Sequence, residues 1–212
     1  MKVVEIFHSI EGEGKRAGQT AAFVRFAGCN LNCSYCDTTY AQGNTGTPMT
    51  TEEILDKVGD YKRVTLTGGE PLLTPGIDDL VSKMISFGME INIETNGSAD
   101  ITSLLHHSNL FFTIDYKLPF SGETDKMLLD NFEKLRPHDV LKFVIGTESD
   151  IPIMVDFIKN LKTRPLIFAG TVFGSYEPRQ LVEHLVNMRS LRDIQLQLQL
   201  HKFIWDPSER GV

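Results

Sequence analysis

The sequence predicts an α/β fold built from parallel βα units, and three observations carry that prediction. Six short β-rich segments recur along the chain: AAFVRF, RVTLTG, MEINIET, LFFTIDY, DVLKFVIG and RPLIFAG. Most are followed by a helix-length stretch with apolar residues at three- and four-residue intervals, so the period switches back and forth between strand and helix. No fixed-period repeat, low-complexity tract or linker interrupts the series, and 212 residues bury most of their apolar surface around one core, so residues 1–212 are expected to form a single domain. From pattern alone the ladder either closes as an incomplete barrel or lies as an open doubly wound sheet. Both arrangements put their reactive loops at the carboxyl ends of the strands.

Taken in order, AAFVRF leads into a loop that holds every cysteine of the chain. Residues 40–48 follow as the most flexible stretch, placed to serve as a lid. Residues 51–58 read as a helix with Thr50 or Thr51 as N-cap and acids in its first turn. Residues 77–87, after Pro75, form a second helix, and 123–135, 150–161 and 178–191 complete the set. The closing run 193–203, DIQLQLQLHKF, alternates as a strand. Its apolar face is Ile194, Leu196, Leu198 and Leu200; its polar face is Gln195, Gln197, Gln199 and His201.

The chain is 41% hydrophobic and 23% charged, an ordinary globular balance. A net charge of −7 disfavours nucleic acid as partner. No apolar run reaches a membrane-spanning length, and the segment MKVVEIFHSIEGEG lacks a long hydrophobic core and a small-residue cleavage site, so neither anchoring nor export is expected. Three cysteines in one short loop suit metal or redox chemistry rather than disulfides, and the expected compartment is the cytoplasm.

Cys29, Cys33 and Cys36 stand at C-x3-C-x2-C. Three thiolates ligate three irons of a 4Fe-4S cluster, and with no fourth cysteine the remaining iron is open to a ligand. The competing reading is a structural zinc completed by His8 or His201, although zinc loops usually run C-x2-C in pairs. LTGGEPLL, taken alone, is an ordinary turn after a strand. Arg25 alternates within an apolar strand, so its guanidinium needs a partner, either a ligand carboxylate or an internal pair with Glu94 or Asp115. Thr38 by itself reads as a loop hydroxyl, Glu13 as solvated and His106-His107 as surface. Met84, Met89 and Met188 read as packing; Trp205 suits a core cap, a stacking role or an interface.

With Tyr35 before the third cysteine and Gly68, Gly69, Glu70 and Pro71 of GGEP downstream, these motifs resemble the radical S-adenosylmethionine superfamily. The resemblance implies S-adenosylmethionine on the open iron and its reductive cleavage to a 5′-deoxyadenosyl radical. FHSIEGEG, AFVRFAGCNLNC, CDTTY, DYKLP and QLHKFIW narrow it: over nearly the whole chain it is similar to the 7-carboxy-7-deazaguanine synthase family of the queuosine pathway. That implies an incomplete, shortened (βα)6-type partial TIM barrel with mostly parallel strands. The implied reaction is ring contraction of 6-carboxy-5,6,7,8-tetrahydropterin with loss of ammonia, aided by Mg2+, in a homodimer served by a flavodoxin or ferredoxin.

The same resemblance implies roles for residues. Thr38 would bind Mg2+. Ile10, Glu11, Gly12, Arg25, Thr67 and His201 would bind substrate, although Leu200 stands where the family carries Thr. Tyr35, Gly68, Gly69, Glu70, Asp115, Tyr116 and Lys117 would contact S-adenosylmethionine. So would Phe168, Ala169, Gly170 and Thr171, in a segment that departs from the family's SPVFG-like form. A radical enzyme that activates a partner protein by making a glycyl radical is the alternative. Glu11, Arg25, Thr38 and His201 suit a carboxylated pterin better than a peptide loop.

Overall fold

All six predicted strands are present in the computed structural model, which describes residues 1–212. They are β2 (Thr20–Phe26), β4 (Arg63–Gly68), β5 (Glu90–Thr95), β6 (Leu110–Tyr116), β7 (Val140–Ile145) and β8 (Leu166–Thr171). They run parallel and pair in that order. β1 (Lys2–Ile10) joins β2 antiparallel, β3 (Thr47–Pro48) pairs β1 outside it, and β9 (Gln195–Leu196) follows β8 at the opposite edge. The full order is β3-β1-β2-β4-β5-β6-β7-β8-β9; β3 and β9 do not meet, so the barrel is partial. β1 has no counterpart in the sequence reading because it carries apolar residues on both faces and its register breaks between Val3 and Glu5, so no clean alternation marks it.

Period-2 alternation divides the sheet's chemistry. The outward residues, among them Val24, Leu66, Ile93, Ile114, Phe143 and Ala169, belong to one buried apolar core. They pack on α1 (Thr51–Val58), α2 (Ile77–Ser86), α3 (Asp150–Asn160) and α4 (Pro178–Asn187), which present Val58, Leu80, Met84, Met154 and Leu181. Most of the inward residues are polar, including Thr65, Thr67, Asn92, Glu94, Thr113, Asp115 and Lys142, with Phe23, Phe111 and Val144 among the apolar exceptions. Such a sheet cannot bury its concave face on apolar helices, and that face becomes the wall of a cavity.

α1 begins at the capping box the sequence offers. Thr50 Oγ1 accepts from Glu53 N at 3.2 Å and Glu53 Oε2 accepts from Thr50 N at 2.8 Å, which settles Thr50 as the N-cap. Four predictions need correction. Residues 123–135 are not an α-helix but two 3-10 turns, Thr124–Lys126 and Leu129–Lys134. The fully buried Asn131 amide donates to Gly97 O and Ala99 O and accepts from Ile101 N, so the segment is pinned to a neighbouring loop instead of coiling on itself. The fourth helix stops at Asn187, with a separate 3-10 turn over Arg189–Leu191. The closing run is strand only over Gln195–Leu196 and turns helical at α5 (His201–Ile204). There Leu196 and Leu198 are exposed while Gln197 is buried, because the inner side is the polar one and Gln197 Oε1 accepts from Gly14 N at 2.6 Å. Nor is 40–48 a free lid. Ala41 O and Gln42 O accept from Gly28 N and Cys29 N, and the far end is in the sheet as β3.

Candidate active site

A cavity of about 730 Å³ opens at the carboxyl ends of the parallel strands, and all three cysteines line it. This volume is typical of sites for small organic ligands. Gly28, at φ +98°, turns the chain out of β2 into the cysteine loop. The end of β4 presses against that turn: a β-carbon on Gly69 would lie 2.1 Å from Gly28 O, and Glu70 N donates to the same carbonyl at 2.7 Å. Only glycine permits this approach, so the GGEP segment buttresses the loop with its backbone. From the other side Glu123 Oε1 accepts from Asn32 N at 3.0 Å and Ser121 O from Ser34 N at 3.0 Å.

Glu70 does not reach the cavity. Its carboxylate is fully buried and accepts from Leu72 N (3.1 Å), Thr95 Oγ1 (2.8 Å) and Asn96 N (2.7 Å), tying β4 to the end of β5. Burial pushes its carboxyl up to about 7 against the pull of those donors. The Tyr116 side chain also does not border the cavity. Its ring stands on the outer face, 3.9 Å from that of Phe157, within a cluster with Phe132 and Phe143. Of Phe168, Ala169, Gly170 and Thr171 only Thr171 lines the cavity, followed by Val172 and Phe173. Ala169 points into the core and Gly170 is roofed by Gln197 O, 3.0 Å from where a β-carbon would stand.

The other predicted residues converge. Ile10, Glu11, Gly12, Arg25, Tyr35, Thr38, Thr67, Gly68, Gly69, Asp115, Lys117 and His201 all border the cavity. Glu11 is buried beside Arg16, whose Nη2 lies 2.5 Å from its Oε1, and the Thr65 hydroxyl donates to the same oxygen. Arg25 pairs with Glu5, Nε to Oε1 at 2.7 Å, rather than with Glu94 or Asp115. Its two Nη atoms have no protein hydrogen-bond partner. Asp115 and Lys117 pair at 2.6 Å. Burial alone would lower the lysine, but the carboxylate outweighs it and holds the ammonium well above its usual range. The Tyr35 hydroxyl is driven by burial to about 12, so it stays protonated. Thr38 Oγ1 donates to Asp37 Oδ1 at 3.0 Å, and Lys202 reaches Asp37 Oδ2 at 3.2 Å. Trp205 does not border the cavity; Arg210 does, with its guanidinium 3.9 Å from the Tyr40 ring centroid.

The sequence reading missed several residues here. Glu13 is not merely solvated: it borders the cavity and pairs with Lys142 at 2.7 Å. Glu94 sits in the wall between strands with no cation paired to it. Burial pushes its carboxyl up to about 7, and the charge of Glu11 pushes the same way. Asn96 lines the cavity beside Cys29, with Nδ2 3.6 Å from its sulfur. Glu94 and Lys142 each alternate within an apolar strand, the same signal that singled out Arg25.

The thiol set fits an iron-sulfur cluster. The three cysteines are free, partly exposed and on one wall, and Cys29 Sγ receives N–H groups from Leu31 and Asn96. No three His, Cys, Asp or Glu side chains gather around a single ion position. His8, a suggested zinc ligand, is stacked on Tyr61 instead, at 4.4 Å between centroids. A cluster, in which each thiolate binds its own iron, suits ligands spread along a loop better than a mononuclear site does.

A partial parallel barrel whose strand-end cavity holds three thiols and a glycine-braced loop defines a radical S-adenosylmethionine enzyme, and residues 23–115 match the model of the Radical SAM superfamily. The chain is 44% identical over 219 aligned residues to the 7-carboxy-7-deazaguanine synthase of Clostridium acetobutylicum, covering 100% of this chain and 99% of that one. It is 38% identical to that of Chlorobaculum tepidum, covering 100% and 97%. This protein belongs to the 7-carboxy-7-deazaguanine synthase family. Its fold is also that of QueE from Escherichia coli, with a TM-score of 0.77 at 21% identity over 93% of each chain.

Proposed function

We propose that the protein converts 6-carboxy-5,6,7,8-tetrahydropterin to 7-carboxy-7-deazaguanine with release of ammonia, a step toward queuosine and related 7-deazapurines. The observation that carries this reading is the 44% identity to a named 7-carboxy-7-deazaguanine synthase across the whole of both chains. Cys29, Cys33 and Cys36 would hold the 4Fe-4S cluster, and the chemistry such a cluster supplies with S-adenosylmethionine is reductive generation of a 5′-deoxyadenosyl radical.

The remaining residues bind, orient and shield. Arg25, steadied through Nε by Glu5, has its two Nη atoms free to take a substrate carboxylate as a fork. Glu11, buried and backed by Arg16, suits the amino-pyrimidine edge of a pterin. Thr67 and His201 flank the same space. Thr38 and Asp37 supply adjacent oxygens for Mg2+, with substrate and water completing an oxygen shell. Asp115, Lys117, Gly68 and Gly69 border the region beside the cysteines, where S-adenosylmethionine would lie. We further read the enzyme as a cytoplasmic homodimer reduced by a flavodoxin or ferredoxin.

The alternative, activation of a partner enzyme by glycyl radical formation, has no relative among the proteins described above to support it. The test is anaerobic reconstitution with iron and sulfide, then incubation with S-adenosylmethionine, reductant, Mg2+ and the carboxylated pterin. The expected result is 7-carboxy-7-deazaguanine by mass spectrometry, absent without S-adenosylmethionine and absent in Cys33→Ala. Accumulation of 5′-deoxyadenosine with no deazaguanine would overturn the substrate assignment.

A further inference from the structure

Asn96 makes a contact that the reaction chemistry leaves unexplained. It follows β5, is 8% exposed, and its Nδ2 lies 3.6 Å from Cys29 Sγ. Its orientation is fixed by its other partners. Oδ1 accepts from Ser98 N at 2.9 Å and from Ser98 Oγ at 2.6 Å, while Nδ2 also donates to Asn30 Oδ1 at 3.1 Å. A flipped amide would set an oxygen against both Asn30 Oδ1 and the sulfur, so the network admits one orientation, with an N–H aimed at Cys29. Its backbone is anchored as well, since Asn96 N donates to Glu70 Oε2 at 2.7 Å. The buried carboxylate of the GGEP motif therefore braces the residue that touches the cysteine. This gives Glu70 a task although it does not face the cavity.

We propose that Asn96 is a positioning residue that sets the reduction potential of the cluster through its N–H···S bond to Cys29. The proposal rests on the reading of residues 29–36 as an iron-sulfur loop. A hydrogen bond to a cluster thiolate favours the state with more negative charge on sulfur, which is the reduced state. Loss of the donor therefore makes the cluster harder to reduce without removing a ligand. A role confined to the turn makes a different prediction, because Oδ1 alone caps the 96–98 turn and Asn96→Asp keeps that acceptor.

The experiment is an anaerobic redox titration of reconstituted wild type, Asn96→Ala and Asn96→Asp, without S-adenosylmethionine, following the reduced-cluster EPR signal alongside iron and sulfide content. With iron content equal to wild type, Asn96→Ala is expected to show a more negative midpoint, the reduced-to-oxidised ratio at a fixed potential falling about tenfold, as loss of one charge-assisted hydrogen bond allows. Asn96→Asp, which adds a negative charge, is expected to shift further in the same direction. Equal midpoints in wild type and Asn96→Ala would overturn the proposal. So would loss of the cluster from both variants with native circular dichroism, since that marks Asn96 as needed to build the site rather than to tune it. Failure of the wild type to take up iron would instead overturn the iron-sulfur reading itself.

Discussion

Gly12 and His201 are in contact across the cavity so closely that a β-carbon on residue 12 would stand 2.2 Å from His201 Nδ1. The approach is locked by backbone, because Leu200 N donates to Gly12 O at 3.0 Å and sets α5 against the loop after β1. Gly12 thus forms the seat of the imidazole. Burial lowers the His201 pKa below the usual histidine value, so at neutral pH the ring is neutral and offers one donor and one acceptor. Gly12→Ala must push the ring away. It is expected to raise KM for the pterin by at least about tenfold, the scale of one lost polar contact, while leaving the cluster's visible absorbance unchanged. Steady-state kinetics with parallel absorbance spectra check this, and an unchanged KM would remove His201 from the substrate site.

Arg25 has a divided role, with Nε committed to Glu5 and the Nη pair free. Tyr40 Oη also donates to Glu5 Oε1, at 2.9 Å, so the carboxylate is held from two sides. Lysine would keep the charge but lose the fork and could not serve both partners at once. Arg25→Lys is expected to raise KM about tenfold or more for the carboxylated substrate, with little effect on S-adenosylmethionine affinity by equilibrium dialysis. Equal weakening of both ligands would point to a collapsed wall instead.

The parallel strands and the helices after β2, β4, β7 and β8 were legible because each strand's outward residues and each helix's inward face follow their own period, as in Val64 and Leu66 of β4 or Leu80 and Met84 of α2. Residues 123–135 show helical spacing, yet Asn131 spends its amide on the backbone of 97–101, a long-range bond that no local pattern reveals. The closing run failed for a similar reason. Alternation grouped Gln199 with His201, and both border the cavity, but the run is strand only over Gln195–Leu196, and its apolar side leaves Leu196 and Leu198 exposed while Gln197 is buried. At the site, most of the residues picked out by motif resemblance line the cavity. The side chains of Glu70 and Tyr116 do not border it, because side-chain direction at a strand end depends on the strand's register, which a motif does not encode.

Glu70 also leaves a signature in stability. Its folded pKa of about 7 exceeds the ordinary glutamate value of 4.5, so between these values the folded chain holds a proton that the unfolded chain releases. That contribution is full below about 4.5 and is lost as pH rises through about 7. Glu70→Gln has no such titration. Relative to wild type, the variant is expected to gain about 2 kcal/mol between pH 5.5 and pH 8, whatever its absolute stability. Urea denaturation of both proteins at the two pH values measures the difference, and a constant gap would show that the carboxyl ionises freely in the folded chain.

Thr38 tests the magnesium assignment. Its hydroxyl is 3.0 Å from Asp37 Oδ1, and Lys202 holds the other carboxylate oxygen at 3.2 Å, so one hydroxyl and one anchored carboxylate form the oxygen pair on this side of the cavity. Mg2+ accepts few protein ligands and keeps its remaining positions for water and substrate oxygens, so loss of a single hydroxyl weakens it measurably. Thr38→Ala is expected to shift half-maximal activation to several-fold higher Mg2+, and Thr38→Ser to restore it. Because Thr38 lies only two residues beyond Cys36, iron content must be shown equal in all three proteins. With that control in place, a Thr38→Ala enzyme whose Mg2+ activation curve overlays wild type would move the cation to other oxygens of the cavity.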